Sequence, residues 1–291
     1  MNLKHILVAV DFSTYAEKVL GAAIKVAEGR SLHITIVHVA SQQALQDSCP
    51  DYQAYRSRLD ELKTRLTGRL EPLTRKAPDL GFTFDVSAGD PAADHILELA
   101  EELNAGMVVM GSHDQEDQSS FGEGSVSEKT VLKSPVPVLT VHASAVESTV
   151  RKILVPVDFS PHSHEAAMIA GRICEQLGIR MVLMHVVERE AFPRSLKPGI
   201  RIHLEEGGLH RLIAREVQDF VNEIGDPGVV EDVVVREGIA HREIGRYVEE
   251  NEIDLVVISS HGLTDMVYVD LGSVAQKVFR WSPCSILTLK R

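Results

Sequence analysis

Ile6 to Val10 form an unbroken apolar run that stops at Asp11, and Ile153 to Val157 form a near-copy that stops at Asp158. A short apolar run ended by polar residues predicts a strand buried on both faces. Behind the first run, Ala16, Val19, Leu20, Ala23 and Ala27 recur at helical spacing, and Ser13 stands where an N-cap is expected. A second strand is predicted over Ile34 to Val39. Tyr52, Tyr55, Leu59, Leu62, Leu66 and Leu70 then step by three or four, the apolar stripe of an amphipathic helix. Phe82 to Val86 reads as a strand, His95 to Leu103 as a helix, and Met107 to Met110 and Val136 to Val141 as the fourth and fifth strands. In the second half, the runs Met181 to Val186, Val229 to Val235, Leu255 to Ile258 and Ile286 to Leu289 complete the same order, with a helical stripe at Leu209, Leu212, Ile213, Val217, Phe220 and Ile224.

The halves match in sequence as well as in pattern. KHILVAVDFS, residues 4 to 13, returns as RKILVPVDFS at 151 to 160, an offset of 158 − 11 = 147 between the aspartates. His38-Val39 returns as His185-Val186 at the same offset, and Gly124-Ser125-Val126 returns as Gly272-Ser273-Val274 one residue later. A period of that size is a duplicated domain and not a solenoid, whose repeats run about 20 to 50 residues. The expected domains are 1–146 and 147–291. Alternation of strands and helices with doubly buried strands implies two tandem, doubly wound, five-stranded parallel α/β domains. Ligands of such sheets sit beyond the strand carboxyl ends, where strand order reverses.

Composition narrows the function. A formal net charge of −12 is the wrong sign for neutralising nucleic-acid phosphates or binding anionic lipid. No stretch approaches the roughly 20 apolar residues of a membrane span. Neither nucleic acid nor membrane is expected as a partner. Three scattered cysteines, Cys49, Cys174 and Cys284, fit a reducing cytoplasm, and the start of the chain reads as a strand and not as a signal peptide. No metal site is expected, because the recurring histidines His38, His185, His113 and His261 lack ligand spacing and read as satisfied strand-end and loop residues. Cys174 reads as a buried small hydrophobe, and Cys49 as a loop thiol.

The candidate chemistry follows the first and fourth strands of each half. After the fourth strand of the second half come Ser259-Ser260-His261-Gly262, then nine residues, then Gly272-Ser273-Val274. Glycines let loop N–H groups approach phosphate oxygens, and the Gly272-Ser273 pair opens a helix whose N-terminus attracts anions. Asp158 stands where it could accept from ribose hydroxyls, hold a metal bridging phosphates, or help Ser160 start the following helix, and Asp11 has the same alternatives beside Ser13.

These segments, with V-x-V-D-F-S opening each half and a closing strand such as PVLTV, resemble the universal stress protein family in its tandem form. The resemblance covers nearly the whole chain. It implies a Rossmann-like fold related to the adenine-nucleotide alpha hydrolases and an ATP site of pattern G-x2-G-x9-G-[ST]. It also implies a pseudo-two-fold pairing of the halves, with further pairing of two chains and an unidentified protein partner left open. Matched residue by residue, the first half reads Gly111-Ser112-His113-Asp114 before Gly124-Ser125-Val126, with aspartate in place of the second glycine. A carboxylate there repels phosphate. The second half has Ser259 for the first glycine and keeps Gly262, Gly272 and Ser273. Serine is small, neutral and able to donate, so the nucleotide site is expected mainly in the second half. Its residues would be Asp158, Val186 (whose backbone faces adenine in the resemblance), Ser259, Gly262, Gly272, Ser273 and Val274, with Asp11, Val39, Gly111, Gly124, Ser125 and Val126 as weaker counterparts. The implied ligand is ATP, with or without magnesium, and the implied role is regulation in a stress response. A nucleotide-free scaffold and a slow ATPase or nucleotidyl transferase stay as alternatives, and no catalytic residue is assigned. Neither G-x-x-x-x-G-K-[ST] nor a lysine within the phosphate loop is present.

Overall fold

The computed structural model describes residues 3–41, 45, 51–76, 80–112, 125–142, 150–188, 216, 220–224, 227–261 and 272–290. The chain divides into two compact units, Met1–Glu147 and Ser148–Arg291.

In the first unit the strands are β1 (His5–Ala9), β2 (His33–Ala40), β3 (Gly81–Ala88), β4 (Met107–Gly111) and β5 (Val138–Val141). They pair in parallel in the order β3-β2-β1-β4-β5. Helices α1 (Ala16–Ala27), α2 (Tyr52–Lys76), α3 (Ala92–Glu102) and α4 (Val126–Lys133) connect them. The central strands are dry, with Ile6, Leu7, Val8, Val108 and Val109 fully buried, as an unbroken apolar run requires when helices cover both faces. On α2 the stripe narrows toward the core: Leu62, Leu66 and Leu70 are buried, whereas Tyr52, Tyr55 and Leu59 are half-buried.

The second unit repeats the plan with β6 (Lys152–Pro156), β7 (Arg180–Val187), β8 (Val230–Glu237), β9 (Leu255–Ser259) and β10 (Ser285–Leu289), in the order β8-β7-β6-β9-β10, all parallel. Its described helices are α5 (Pro161–Leu177), α6 (Ala240–Asn251) and α7 (Ser273–Trp281). Gly178, at φ 65°, ends α5 in a left-handed turn that a side chain would strain. Cys174 is fully buried within α5, and burial pushes its thiol up to about 12. Phe220 and Ile224 of the expected stripe are buried, while Leu209, Leu212, Ile213 and Val217 lie outside the described residues, as does Cys49.

The predicted strands match these elements to within two residues at each end and the helices over Ala16–Ala27 and His95–Leu103 to within three, whereas α2 runs six residues past the end of its predicted stripe at Leu70 and the stripe of the second half lies mostly outside the described residues. One expectation fails: Ser13 does not cap α1. That helix starts later, with Tyr15 at its N-cap and no side-chain cap, and Ser13 instead gives its backbone N–H to Asp11 Oδ1 at 2.9 Å. In each unit β1 and β4, or β6 and β9, are the adjacent strands from which the order runs outward in both directions. Ligands of such sheets sit in the crevice at these carboxyl ends, and the described candidates Asp11, Val39, Gly111, Asp158, Val186 and Ser259 fall at or just past the carboxyl ends of strands.

Candidate functional site

Beyond the end of β6, Asp158 is half-buried and its Oδ1 accepts the backbone N–H of Ser160 at 3.1 Å. Ser160 is the N-cap of α5: its Oγ accepts from Ser163 N at 3.1 Å, and Pro161 occupies the first helical turn, where no amide donor is needed. Between them Phe159 sits at φ 62°, left-handed backbone that costs a bulky residue about 1–3 kcal/mol. This tight turn lets α5 begin at Pro161, whereas α1 begins at Ala16, two positions later by the 147-residue offset. The Phe159 ring is tilted over His185 at 4.5 Å between centroids, and Phe12 repeats the contact over His38 at 4.4 Å.

These two histidines are structural. His185 Nδ1 lies 2.8 Å from the carbonyl of Val157, and His38 Nδ1 lies 2.9 Å from that of Val10. A carbonyl only accepts, so each imidazole carries its proton on Nδ1. Burial pushes both below the usual histidine range, offset in part by these carbonyls and by Asp158 or Asp11. The pairing ties the end of β7 to the end of β6.

That tie exposes backbone groups. Met184 O accepts from Val157 N at 2.9 Å, so it points toward β6. Successive residues of a strand alternate sides, so the N–H and C=O of Val186 point the same way as those of Met184, past the last residue of β6. Val187 O, facing the other way, accepts from Gly238 N. In the first unit Val37 O accepts from Val10 N and Ala40 O from Gly89 N, which turns the backbone of Val39 into the corresponding crevice.

The phosphate-loop ends differ between the units. Ser259 closes β9 with its Oγ donating to the carbonyl of His261 at 2.7 Å. Its counterpart Gly111 has ordinary space for a Cβ, 3.5 Å from Val19 Cγ2 on α1, and it is not among the positive-φ glycines. Serine at this place therefore needs no strained backbone, in keeping with a mild loss. Ser260 is 1% exposed; its N–H reaches Leu289 O, and its carbonyl accepts from Gly272 N at 2.6 Å. Gly272 is the N-cap of α7 and, having no side chain, caps none of the first N–H groups of that helix. Ser273 is exposed and Val274 half-buried at this opening.

In the first unit Ser125, not glycine, is the N-cap. Its Oγ accepts from Glu128 N at 3.1 Å and lies 3.3 Å from Ser127 Oγ, so α4 takes up one of its own first-turn amides with its cap. Val126 is 42% exposed. Glu128, 6% exposed, adds a carboxylate to that turn, where the second unit has Gln276. Single-copy reading overlooked this residue; setting the copies side by side at an offset of 148 puts glutamine against glutamate. Gly124, His113 and Asp114 in the first unit and Gly262 in the second lie outside the described residues. By sequence, the stretch before Gly124 carries Asp114, Glu116, Asp117 and Glu123, against Asp265 and Asp270 before Gly272. Among the described residues there is no cluster of three or more His, Cys, Asp or Glu that could hold a metal, and no helix is long and apolar enough to cross a membrane.

Known proteins with this architecture complete the picture. The model of the universal stress protein family matches residues 2–142 and again 149–290. A universal stress protein of Methanocaldococcus jannaschii is 29% identical over 155 residues, 48% of this chain and 95% of that protein. A universal stress protein of Mycobacterium tuberculosis is 21% identical over 281 residues, 93% of this chain and 94% of its own length. Among solved structures, a universal stress protein from Archaeoglobus fulgidus aligns with a TM-score of 0.65 at 23% identity, covering 99% of this chain and 96% of the other. A Pseudomonas aeruginosa protein of unknown function aligns at 0.70 and 16%, covering 99% and 93%. At those identities the two structures speak to the fold alone. With the family's domain matched once in each half, the chain belongs to the universal stress protein family.

Proposed function

We propose that the chain is a regulatory protein of the stress response that binds ATP or another adenine nucleotide, mainly in its second unit. The observation that carries this reading is the difference at the two phosphate-facing helices: α7 opens on an uncapped Gly272, whereas Ser125 and Glu128 close the start of α4. An uncapped N-terminus presents free N–H groups and the positive end of the helix dipole, which together favour an anion.

In this reading the phosphates lie against Gly262, Gly272, Ser273 and Val274. The ribose hydroxyls donate to Asp158, and the adenine edge meets the backbone N–H and C=O of Val186. Magnesium, if carried by the nucleotide, would find its protein carboxylate in Asp158 and supply charge neutralisation. The residues fit binding better than turnover, because no lysine or arginine stands between Ser259 and Gly272 to offset charge developing in phosphoryl transfer.

The test is to denature freshly purified protein, identify any released nucleotide by chromatography, and titrate the emptied chain with ATP by calorimetry. About one adenine nucleotide per chain is the expected result. No heat at millimolar ATP overturns the reading and leaves an interaction scaffold in its place.

A further inference from the structure

Glu188 follows β7, two residues beyond Val186, and its side chain reaches across to the next described helix. Its Oε1 accepts the backbone N–H of Ala240, the first residue of α6, at 2.8 Å. Ile239, at the N-cap of α6, has no polar side chain to offer, and the helix receives a carboxylate from another element instead. Val187, between Val186 and Glu188, is fixed to the same corner, since its carbonyl accepts from Gly238 N at 3.1 Å. The corner is itself anchored. Gly238 stands at φ 150°, where a Cβ would come within 2.9 Å of Glu243 Cγ. Glu243 is buried, and its N–H donates to Ile239 O at 3.0 Å. Its carboxylate lies 3.0 Å from Arg246 Nη1 and 3.7 Å from Arg236 Nη1. The two residues after Val186 are thus tied to a corner built around a buried glutamate.

From this geometry we infer that Glu188 is a positioning residue, a brace that holds the backbone of Val186 in the direction needed to choose adenine over guanine. The inference rests on the nucleotide reading above, in which the N–H and C=O of Val186 meet the base. Adenine places a donor, its exocyclic amine, where guanine places the acceptor O6, so one fixed pair of backbone groups suits only one of the two. Such a choice lasts only while the peptide groups keep their direction. On the β6 side the last backbone bond among the described residues joins Val157 N to Met184 O, two residues short of Val186. The hold beyond Val186 therefore comes from the other side, through Val187 O and Glu188. A strand end that keeps the reading geometry for only about a tenth of the time binds about tenfold more weakly. The first unit has Ser41 at this position by the 147-residue offset, so a carboxylate brace belongs to the second unit.

The experiment is calorimetric titration of the full chain with ATP, GTP and pyrophosphate, for the wild type, Glu188→Ala and Glu188→Gln. Glu188→Ala is expected to lower ATP affinity about tenfold, to narrow the preference for ATP over GTP by the same factor, and to leave pyrophosphate affinity unchanged. Glu188→Gln keeps an acceptor for Ala240 N and is expected to hold ATP affinity to within about threefold of the wild type. Equal losses for ATP and pyrophosphate would mean a merely structural role and overturn the brace. So would a glutamine variant as weak as the alanine one, or a wild type that binds GTP as tightly as ATP. Should Glu188→Ala fail to fold, hydrogen exchange on the wild type decides: ATP must slow the Ala240 amide together with that of Val186, and pyrophosphate must slow neither. An Ala240 amide indifferent to ATP overturns the brace. If the wild type binds ATP and Glu188→Ala binds it equally well, the brace fails while the nucleotide reading stands; if the wild type binds no adenine nucleotide, both fail.

Discussion

The starts of α4 and α7 descend from the same Gly-Ser-Val sequence, yet they end their loops in different ways. In the first unit the serine turns inward and caps its own helix, and a buried glutamate sits one turn on. In the second the helix begins one residue earlier, the glycine is the cap residue, and the serine is left on the surface. The strands beneath are nearly superposable in pattern, with the same histidine-to-carbonyl tie and the same ring stack. Duplication has thus preserved what holds the fold together while the anion-facing helix end has diverged. A helix that satisfies its own N-terminal amides has little to offer an anion.

The comparison can be broken most sharply at Gly272. Gly272→Val places a branched side chain at the open cap, and it is expected to lower ATP affinity by about 30- to 150-fold, roughly 2–3 kcal/mol of lost charge-assisted bonding. Calorimetry that finds unchanged affinity would move the site elsewhere. The converse change should open the first unit: Asp114→Gly with Glu128→Gln removes two carboxylates and is expected to raise the ATP stoichiometry from one to two per chain. A stoichiometry held at one, in a variant with an unaltered circular dichroism spectrum, would show that the Ser125 cap alone closes that helix. Asp158→Asn is next in size, with about a tenfold loss in ATP affinity against little change for Asp11→Asn.

Smaller effects concern stability. Ser160→Ala removes a working cap and should cost about 1 kcal/mol in denaturant unfolding, whereas Ser13→Ala should cost only a few tenths. Equal losses would contradict the different helix starts. The smallest effect is one the units share. Burial holds His38 and His185 below the unfolded value of 6.5, so the unfolded chain takes up these protons first. Stability is therefore full above pH 6.5 and falls as pH drops below it toward the depressed folded value. Replacing both with Asn should flatten that part of the pH profile; an unchanged profile would assign it to other groups.

The alternation of elements and the apolar strands were legible in the sequence because strands buried on both faces leave no polar residue to confuse the pattern, as in Ile6 to Val10. The duplication was legible for the same reason, and the crevice followed from topology. The cap of α1 was not. Ser13 and Ser160 occupy matching positions in nearly identical decapeptides, and what separates them is a backbone choice at the preceding phenylalanine, left-handed at Phe159 alone of the two. Glu128 escaped notice because a glutamate in a first helical turn is ordinary on a surface. Its burial gives it weight, and burial is a tertiary property.

One backbone bond, Gly272 N to Ser260 O, draws the two ends of an eleven-residue span together without a side chain from either partner. Closure of this kind does not depend on what the span contains, and its entropic cost grows only slowly with length, by about 0.6 kcal/mol for each doubling. The bond fixes the opening of α7 against the end of β9, so the position of that helix start is set by two backbone groups and not by the side chains between them.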